Sequence, residues 1–285
     1  MTLTRSDALA RRQRFRALHD AGCFVIPNPW DAGSARYLQG LGFKALASTS
    51  SGAAWSQGRP DNGLACDAVL AHLEQLLEAS SLPLNADFES GFAADAAGVA
   101  ANVRRAVALG VAGLSIEDST GDAANPLRDL ASAVERLRAA RAAIDDGDAA
   151  QSGKALLVGR AENFIVGRPD LDDTLRRLRA YAEAGADVLY APGIRTPQQI
   201  EAVVAAVAPK PVNLLVGADI GITLQQAQAL GVRRISVGGA LARCAWGGFM
   251  RAARAIADEG RFDAFASAAP GNELNAFFGA AAAPP

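Results

Sequence analysis

An apolar run that begins at Leu82 ends on two acidic side chains, Asp87 and Glu89, and a glycine follows at Gly91. In an extended strand the residues at i and i+2 point to the same side, so these two carboxylates are expected to share one face. Like charges this close repel each other unless a cation or hydrogen-bond donors stand between them. The pair therefore indicates a site where a cation or hydrogen-bond donors lie between the two carboxylates.

Two further strand ends carry groups that could share this site. The run GLSIED ends on Glu117 and Asp118, and the run ALLVGRAE contains Arg160 and ends on Glu162. Several carboxylates on neighbouring strand ends suit a hard divalent cation such as Mg²⁺, which polarises a carbonyl and stabilises a developing enolate oxygen. An arginine beside them can hold a substrate carboxylate through two hydrogen bonds. The alternative is a buried ion-pair network, but three consecutive strand ends of this kind favour a metal site.

The elements that position these groups alternate along the chain. Amphipathic segments with apolar residues at i, i+3, i+4 and i+7 separate eight short apolar runs, and Gly110 and Gly185 stand where helix ends are expected. The runs predicted as strands cover residues 23–28, 45–50, 82–88, 113–118, 155–162, 187–193, 211–217 and 233–239.

Eight such units predict an α/β fold, a (β/α)₈ TIM-type barrel with an N-terminal helix and a C-terminal helical extension, formed as a single domain over residues 1–285. An open doubly wound sheet is the alternative, but the chain lacks a GxGxxG motif after its first strand. Barrel enzymes carry their catalytic groups at the C-terminal ends of the strands and in the loops that follow. The third, fourth and fifth strands are therefore expected to build the active face.

The composition excludes several classes of function. A formal net charge of −2 provides no basic surface for nucleic acid. Cys23, Cys66 and Cys244 lie far apart without a CxxC pair, which argues against a disulfide framework or a structural zinc site. No apolar run approaches the roughly 18 residues of a membrane span, and the charged N-terminus lacks a signal-peptide core. We therefore expect a cytoplasmic protein whose partner is a small molecule, with neither nucleic acid nor a membrane.

Five segments, in this order and spacing, match a known family: PWDAGSARYLQGLGFKALASTSSGAAWSQGRPD, NADFESGF, GLSIED, VGRAENF and VRRISVGGALAR. Through them the chain resembles the isocitrate lyase/phosphoenolpyruvate mutase superfamily over nearly its whole length. The resemblance implies a barrel that binds Mg²⁺, or Mn²⁺ in its place, together with a small 2-oxo acid or its enolate. It also implies a homo-oligomer, a dimer or a tetramer, with the C-terminal helical segment 247–280 exchanged between subunits.

The resemblance further implies a metal centre built on Asp87. This residue would be the main ligand, with Glu89, Glu117 and Asp61 around it, partly through water molecules. Glu117 and Asp61 would also act in catalysis together with Arg160.

Substrate contacts are expected from three places. Arg160 would grip the substrate, and the Ser-Gly loop would donate hydrogen bonds to a carboxylate or phosphonate. Tyr190 and Asn213 are further candidates for substrate binding and proton handling. The loop residues concerned are Ser51, Gly52 and Ala53.

The loop after the fourth strand departs from the lyases of this family. Those lyases carry a Cys-Gly-His-like motif there whose cysteine is the catalytic acid, whereas EDSTGDAANPLRDL has no cysteine, histidine or lysine. The sequence thus predicts an Mg²⁺-dependent lyase-type enzyme that cleaves or decarboxylates a small 2-oxo or 2-hydroxy (di)carboxylic acid through an enolate, with its general acid unassigned. The alternatives are phosphonopyruvate-type mutase or hydrolase chemistry, a non-catalytic barrel that binds a 2-oxo acid, and an unrelated barrel that binds phosphate at the turns VGADIG and VGG.

Overall fold

The computed structural model describes residues 4–146 and 153–280, and its centre is one parallel sheet of eight strands. Each strand lies within the run predicted for it, so the eight-strand prediction is confirmed. The strands pair in the order β1-β8-β7-β6-β5-β4-β3-β2, and a hydrogen bond of 3.0 Å from the Ala47 N–H to the Pro27 carbonyl links the first two. The strands are β1 (Phe24–Ile26), β2 (Leu46–Ala47), β3 (Leu84–Asp87), β4 (Gly113–Glu117), β5 (Leu156–Arg160), β6 (Val188–Tyr190), β7 (Val212–Leu215) and β8 (Arg234–Ser236).

Helices surround this sheet and complete a (β/α)₈ TIM-type barrel, as predicted. In the described part of the chain, none of them has both the length and the apolarity to span a bilayer. They are α1 (Arg5–Ala17), α2 (Ala32–Gly40), α3 (Ser50–Ser56), α4 (Cys66–Ala79), α5 (Ala96–Leu109), α6 (Leu130–Asp145), α7 (Leu171–Glu183), α8 (Pro197–Val207), α9 (Leu224–Ala229), α10 (Ala240–Glu259) and α11 (Gly271–Ala280), with a 3₁₀ turn at Asp263–Ser267.

Local sequence signals explain where several helices begin and end. The Thr4 hydroxyl and the Asp7 carboxylate form a reciprocal capping box at the start of α1. Gly110 ends α5 with a φ of 99°, and Gly185 follows α7 with a φ of 103°. Both values lie in the left-handed region that glycine adopts without steric cost, so the predicted helix ends are confirmed.

The hydrophobic core lies in two layers. The larger one fills the space between the sheet and the surrounding helices, and the smaller one lies inside the barrel around Ile26, Val158 and Val188. Phe15, fully buried, projects from α1 into the inner layer and contacts Gly113 of β4. The predicted N-terminal helix therefore closes the lower end of the barrel, opposite the carboxyl ends of the strands.

The predicted C-terminal helical extension is formed by α10 and α11. Of the 20 residues of α10 only Ala242 is buried, so most of this helix stands away from the barrel. The last helix returns to α2, where the rings of Phe277 and Tyr37 lie 5.0 Å apart and Phe277 covers Gly40. The exchange of residues 247–280 between subunits stays a prediction.

Candidate active site

A cavity of about 200 Å³ opens at the carboxyl ends of the strands and reaches down into the barrel. Its wall combines charged, amide and hydroxyl groups with a few apolar side chains. Among the residues predicted for the site, six line this cavity: Ser51, Asp61, Asp87, Arg160, Tyr190 and Asn213. The other predicted residues lie next to it or behind it and are described below.

Strand register explains why several of these side chains meet. Glu117 of β4 pairs with Arg160 of β5, which pairs with Tyr190 of β6, then with Asn213 of β7 and finally with Arg234 of β8. Paired residues on neighbouring parallel strands point to the same face of the sheet. One line of paired positions therefore carries five interior side chains from the acidic side of the barrel to its opposite side.

Arg160 holds the centre of the acidic side. Its Nη1 lies 3.1 Å from an oxygen of Asp87 and 3.2 Å from an oxygen of Glu117, while Nε and Nη2 both donate to Glu162. The guanidinium carbon lies 5.2 Å from the centre of the Tyr190 ring. The hydrogen bonds to Asp87 and Glu162 use three of the five N–H donors of the guanidinium, and Glu117 is an ion-pair partner. Arg160 is therefore primarily the counter-ion of the surrounding carboxylates.

The charged groups around Arg160 shift one another's pKa values. Burial alone would lower the pKa of Arg160, but Glu162, Glu117 and Asp87 raise it well above its usual value. Burial raises the pKa of Glu117, and the neighbouring carboxylates Glu162, Asp87 and Glu89 add to this effect against Arg160. The acidic side thus carries more negative charge than one guanidinium neutralises.

Asp87 is fixed by two backbone contacts. Its N–H donates to the Ser48 hydroxyl at 2.8 Å, and its Oδ2 accepts the N–H of Ser50 at 3.0 Å, at the first turn of α3. Partial enclosure and the charge of Asp87 together raise the pKa of Asp61, which lies exposed at the rim of the cavity. Asp61 and Asp87 therefore face the same space, as predicted.

Glu89 reaches the cluster by a different route from the one the sequence suggests. The strand ends at Asp87, and Glu89 adopts a left-handed backbone with a φ of 45°, so the argument that an extended strand places both residues on one side is wrong. A turn brings it there instead, and the Glu89 carbonyl accepts the N–H of Glu117 at 3.0 Å. Burial and the charges of Asp87 and Asp61 raise the pKa of Glu89 to about 8.

The predicted Ser-Gly loop is the first turn of α3. The Gly52 N–H donates to the Thr49 hydroxyl and the Ala53 N–H to the Thr49 carbonyl, at 3.4 Å and 3.0 Å. Neither residue lines the cavity, and Ser51 is the one of the three loop residues that does. Substrate binding by this loop stays a prediction. Glycine is required at position 52 because a Cβ there would lie 2.9 Å from the Cβ of Trp30.

Tyr190 and Asn213 extend the site toward β8. Burial raises the pKa of Tyr190 to about 12, although nearby Arg160 and Ser236 oppose this shift. The Asn213 amide donates to the Ser236 hydroxyl at 2.9 Å and its oxygen accepts from Arg234 Nε at 2.8 Å. Tyr190 therefore stays protonated near neutral pH, and Asn213 is held by the barrel interior.

The sequence places Glu162 near the site only as one of several carboxylates, and it gives no reason to single out Arg234, yet both residues shape the site. Glu162 orients Arg160 through both carboxylate oxygens, and its own N–H donates to buried Asp118 at 2.8 Å. Asp118 in turn accepts the Tyr181 hydroxyl and Arg177, so it is a supporting residue. The inward position of Arg234 follows from its strand register with Asn213, which the sequence alone does not define.

The donor set fits a divalent cation in its chemistry. Five carboxylates converge on one guanidinium: Asp61, Asp87, Glu89, Glu117 and Glu162. Among the described residues, however, no group of three or more Asp, Glu, His or Cys side chains is arranged to hold an ion directly. An ion bound through one or two carboxylate oxygens, with water completing its shell, agrees with both observations and is typical of Mg²⁺.

The turns after β7 and β8 were the basis of the phosphate alternative. After β8, the N–H groups of Val237 and Gly238 both donate to the Asn28 side chain at 2.9 Å. These amides are therefore used to join the ends of β1 and β8.

Comparison with known proteins supports one family. The family model described as phosphoenolpyruvate phosphomutase matches residues 15–257. An oxaloacetate decarboxylase from Bradyrhizobium diazoefficiens is 32% identical over 239 residues, which cover 76% of this chain and 78% of that protein.

Solved structures give the same result. A protein from Burkholderia cenocepacia described as a lyase or mutase is 46% identical, with a TM-score of 0.91 and coverage of 96% of this chain and 98% of that one. A phosphonopyruvate hydrolase in complex with oxalate and Mg²⁺ is 26% identical, with a TM-score of 0.81 and coverage of 95% of both chains. The unrelated phosphate-binding barrel is therefore excluded, and the chain is an enzyme that belongs to the isocitrate lyase/phosphoenolpyruvate mutase superfamily.

Proposed function

We propose that this protein is an Mg²⁺-dependent lyase that cleaves or decarboxylates a small 2-oxo or 2-hydroxy acid through an enolate. The observation that carries the proposal is the cluster of Asp87, Glu89 and Glu117 around Arg160 at a cavity of about 200 Å³. A cavity of this size accepts an acid of a few carbon atoms. The related oxaloacetate decarboxylase supports a substrate of this kind.

The proposed roles follow from the contacts. A bound Mg²⁺, held by Asp87 with Glu89, Glu117 and Asp61 around it, would polarise the 2-oxo group and stabilise negative charge on the enolate oxygen. Cation binding at Asp87 would weaken the attraction between this carboxylate and Arg160, which frees the N–H now bonded to Asp87 for the substrate carboxylate. The Ser51 side chain at the rim would orient the same carboxylate.

Tyr190 is the proposed proton donor. Tyr190 lines the cavity, and its pKa of about 12 keeps the hydroxyl proton in place until a strongly basic carbon or oxygen develops beside it. In the lyases that the sequence resembles, a loop cysteine has this role, and the loop after β4 offers none. Ser236 lies beside Tyr190 in the cavity wall, where its hydroxyl could accept or relay a proton.

The test is turnover by the purified protein with oxaloacetate and with phosphonopyruvate, each measured with Mg²⁺, with Mn²⁺ and after removal of metal by EDTA. We expect release of CO₂ or oxalate from oxaloacetate only when metal is present, and a loss of at least ~100-fold in Asp87→Asn. Turnover of phosphonopyruvate alone would favour carbon–phosphorus chemistry, which the related phosphonopyruvate hydrolase supports. Absence of metal-dependent turnover across a panel of 2-oxo and 2-hydroxy diacids would contradict the proposal.

We also propose that the enzyme is a homo-oligomer assembled through its C-terminal helices. The side chains of Phe249, Met250, Phe262 and Phe265 are exposed by 61%, 42%, 62% and 53%, which leaves an apolar surface on α10 and the following turn. Exchange of residues 247–280 would bury this surface and replace the contact of Phe277 with Tyr37 by the same contact between two copies. Light scattering after size-exclusion chromatography should show a dimer or a tetramer that Phe249→Glu dissociates, and a wild-type monomer would contradict this assembly.

A further inference from the structure

Arg234 crosses the inside of the barrel beneath the carboxylate cluster. Its side chain projects from β8, only 3% exposed, and Nε donates to the Asn213 side-chain oxygen at 2.8 Å. Nη1 lies 3.4 Å from the Asn85 side-chain oxygen on β3, and the guanidinium carbon lies 5.9 Å from the centre of the Phe15 ring. The guanidinium therefore spans from β8 toward the opposite wall and forms part of the cavity floor.

This buried cation has no acidic partner among the described residues. Its hydrogen-bond acceptors are two neutral amide oxygens, whereas Asp87, Glu117 and Glu162 all pair with Arg160. Burial lowers the pKa of Arg234 to about 10, so the side chain is still charged at neutral pH. A buried charge without a counter-ion is costly, and an anion placed beside it would offset that cost.

The Arg234 guanidinium also has N–H groups that the hydrogen bonds to Asn213 and Asn85 do not use. It carries five N–H groups, and the bonds to Asn213 and Asn85 use two of them. Arg234 lines the same cavity as Asp87 and Arg160, with the hydroxyl residues Ser115 and Ser236. One end of the cavity thus carries surplus negative charge and the other end carries surplus positive charge.

We propose that Arg234 binds the second negatively charged group of the substrate, so that the enzyme selects small dianionic 2-oxo acids over monocarboxylic ones. The 2-oxo carboxylate end would lie at the cation and Arg160, an orientation that rests on the proposed function. The second anionic group would point down to Arg234 and the neighbouring hydroxyl groups. A carboxylate and a phosphonate share this chemistry, and the choice between them decides between a diacid and a phosphonopyruvate-type substrate.

The competing explanation is that Arg234 only fills the barrel interior. The two explanations predict different selectivity, because loss of a purely structural arginine would change the affinity for all ligands to the same extent. We would measure dissociation constants by calorimetry for pyruvate, 3,3-difluorooxaloacetate and phosphonopyruvate, in wild type, Arg234→Lys and Arg234→Gln. Arg233→Gln is the matched control, because this neighbouring arginine donates to the Gly22 carbonyl outside the cavity.

We expect wild type to bind at least one of the two dianions about ten-fold or more tightly than pyruvate, as for a hydrogen bond between charged groups. Arg234→Gln should abolish this preference, Arg234→Lys should reduce it, and Arg233→Gln should keep it, while pyruvate affinity stays within about two-fold. The dianion that binds more tightly shows whether the second negatively charged group of the substrate is a carboxylate or a phosphonate. Should Arg234→Gln fail to fold, wild type and Arg234→Lys still decide the outcome.

Equal binding of pyruvate and both dianions by wild type would overturn the inference, as would an equal loss for all three ligands in the Arg234 variants. The experiment can contradict the proposed reaction and the proposed subsite independently of each other. A dianion preference without metal-dependent turnover would contradict only the proposed reaction, and turnover with a preference independent of Arg234 would contradict only the subsite.

Discussion

The two sides of the barrel interior bury charges of opposite sign, and they do so with different partners. On the side of β3, β4 and β5, carboxylates outnumber the one guanidinium, Arg160, and their repulsion raises the pKa of Glu89 to about 8. On the side of β7 and β8, Arg234 is held only by amide oxygens and an aromatic ring, and burial lowers its pKa. The charge on each side is therefore not fully balanced: the acidic side has too few cations, and the arginine side has no anion.

This difference shows how a small cavity can orient a small acid. A cation is needed at the acidic side and an anion at the arginine side, and a dianionic substrate together with a metal ion would supply both. The two sides are joined by Tyr190, whose ring lies against Arg160 and which pairs with Asn213 in the strand register. Variants that change the charge of one side at a time can test this arrangement.

The largest effect is expected from Arg160→Gln. Removal of the guanidinium leaves Glu117 and Glu162 buried without a cation, and breaking a buried pair in this way costs about 3–5 kcal/mol. Loss of the substrate contact should also lower kcat/KM by about 10³-fold or more. Urea denaturation and steady-state kinetics measure the two effects.

The exposed Arg195 provides the matched control for this variant. Arg195→Gln should change the free energy of unfolding by less than about 0.5 kcal/mol. A similarly small change in Arg160→Gln would show that the carboxylates do not depend on this cation.

The acidic side could be predicted from sequence and the arginine side could not. Acidic residues at the ends of apolar runs are conspicuous, and parallel strands bring their carboxyl ends together, so Asp87, Glu117 and Arg160 were found. Arg234 stands at the start of its run, where an arginine is usually exposed. Its inward direction depends on pairing with Asn213 and Phe24, which only the assembled barrel defines.

Two local details could not be predicted from the sequence for a similar reason. The turn that carries Glu89 has a left-handed residue, which the period of a strand cannot reveal. The amides of Gly52 and Ala53 are used within α3, which follows from the cap at Thr49 and not from the Ser-Gly motif.

Tyr190→Phe tests the residue that joins the two sides. The ring and its contact with Arg160 are retained, so the free energy of unfolding should change by about 1 kcal/mol or less. Loss of a proton donor should lower kcat by roughly 10²-fold with KM nearly unchanged. Ser236→Ala removes a neighbouring hydroxyl of the cavity wall but keeps the proposed donor, so it should have a smaller effect on kcat. A kcat within two-fold of wild type in Tyr190→Phe would exclude the donor role.

Asn213→Asp gives the arginine side a counter-ion of its own. The new carboxylate would lie at the position of the amide oxygen that accepts from Arg234 Nε, so it would raise the pKa of Arg234 and compete with an anionic ligand. We expect about ten-fold weaker binding of the preferred dianion and little change for pyruvate. Gln198→Glu, at an exposed position of α8, controls for the added charge, and unchanged dianion affinity in Asn213→Asp would argue against the subsite.

The smallest effect is the pH dependence of stability, which differs between the two sides. Because the pKa of Glu89 is about 8 in the folded protein and near its ordinary 4.5 when unfolded, the folded state binds the extra proton between these values. Glu89 should therefore cost metal-free protein about 1 kcal/mol of stability as pH rises from about 5 to 8. Buried His19, whose pKa burial lowers to about 3, contributes in the opposite direction below pH 6.5, and Arg234 contributes no slope because its pKa of about 10 keeps it protonated in both states. Relative to wild type, Glu89→Gln should remove the loss due to Glu89, and Mg²⁺ should remove it in wild type by favouring the ionised carboxylates. Urea denaturation at several pH values measures these slopes, and identical slopes in metal-free wild type and Glu89→Gln would show that the surplus charge on the acidic side is already compensated.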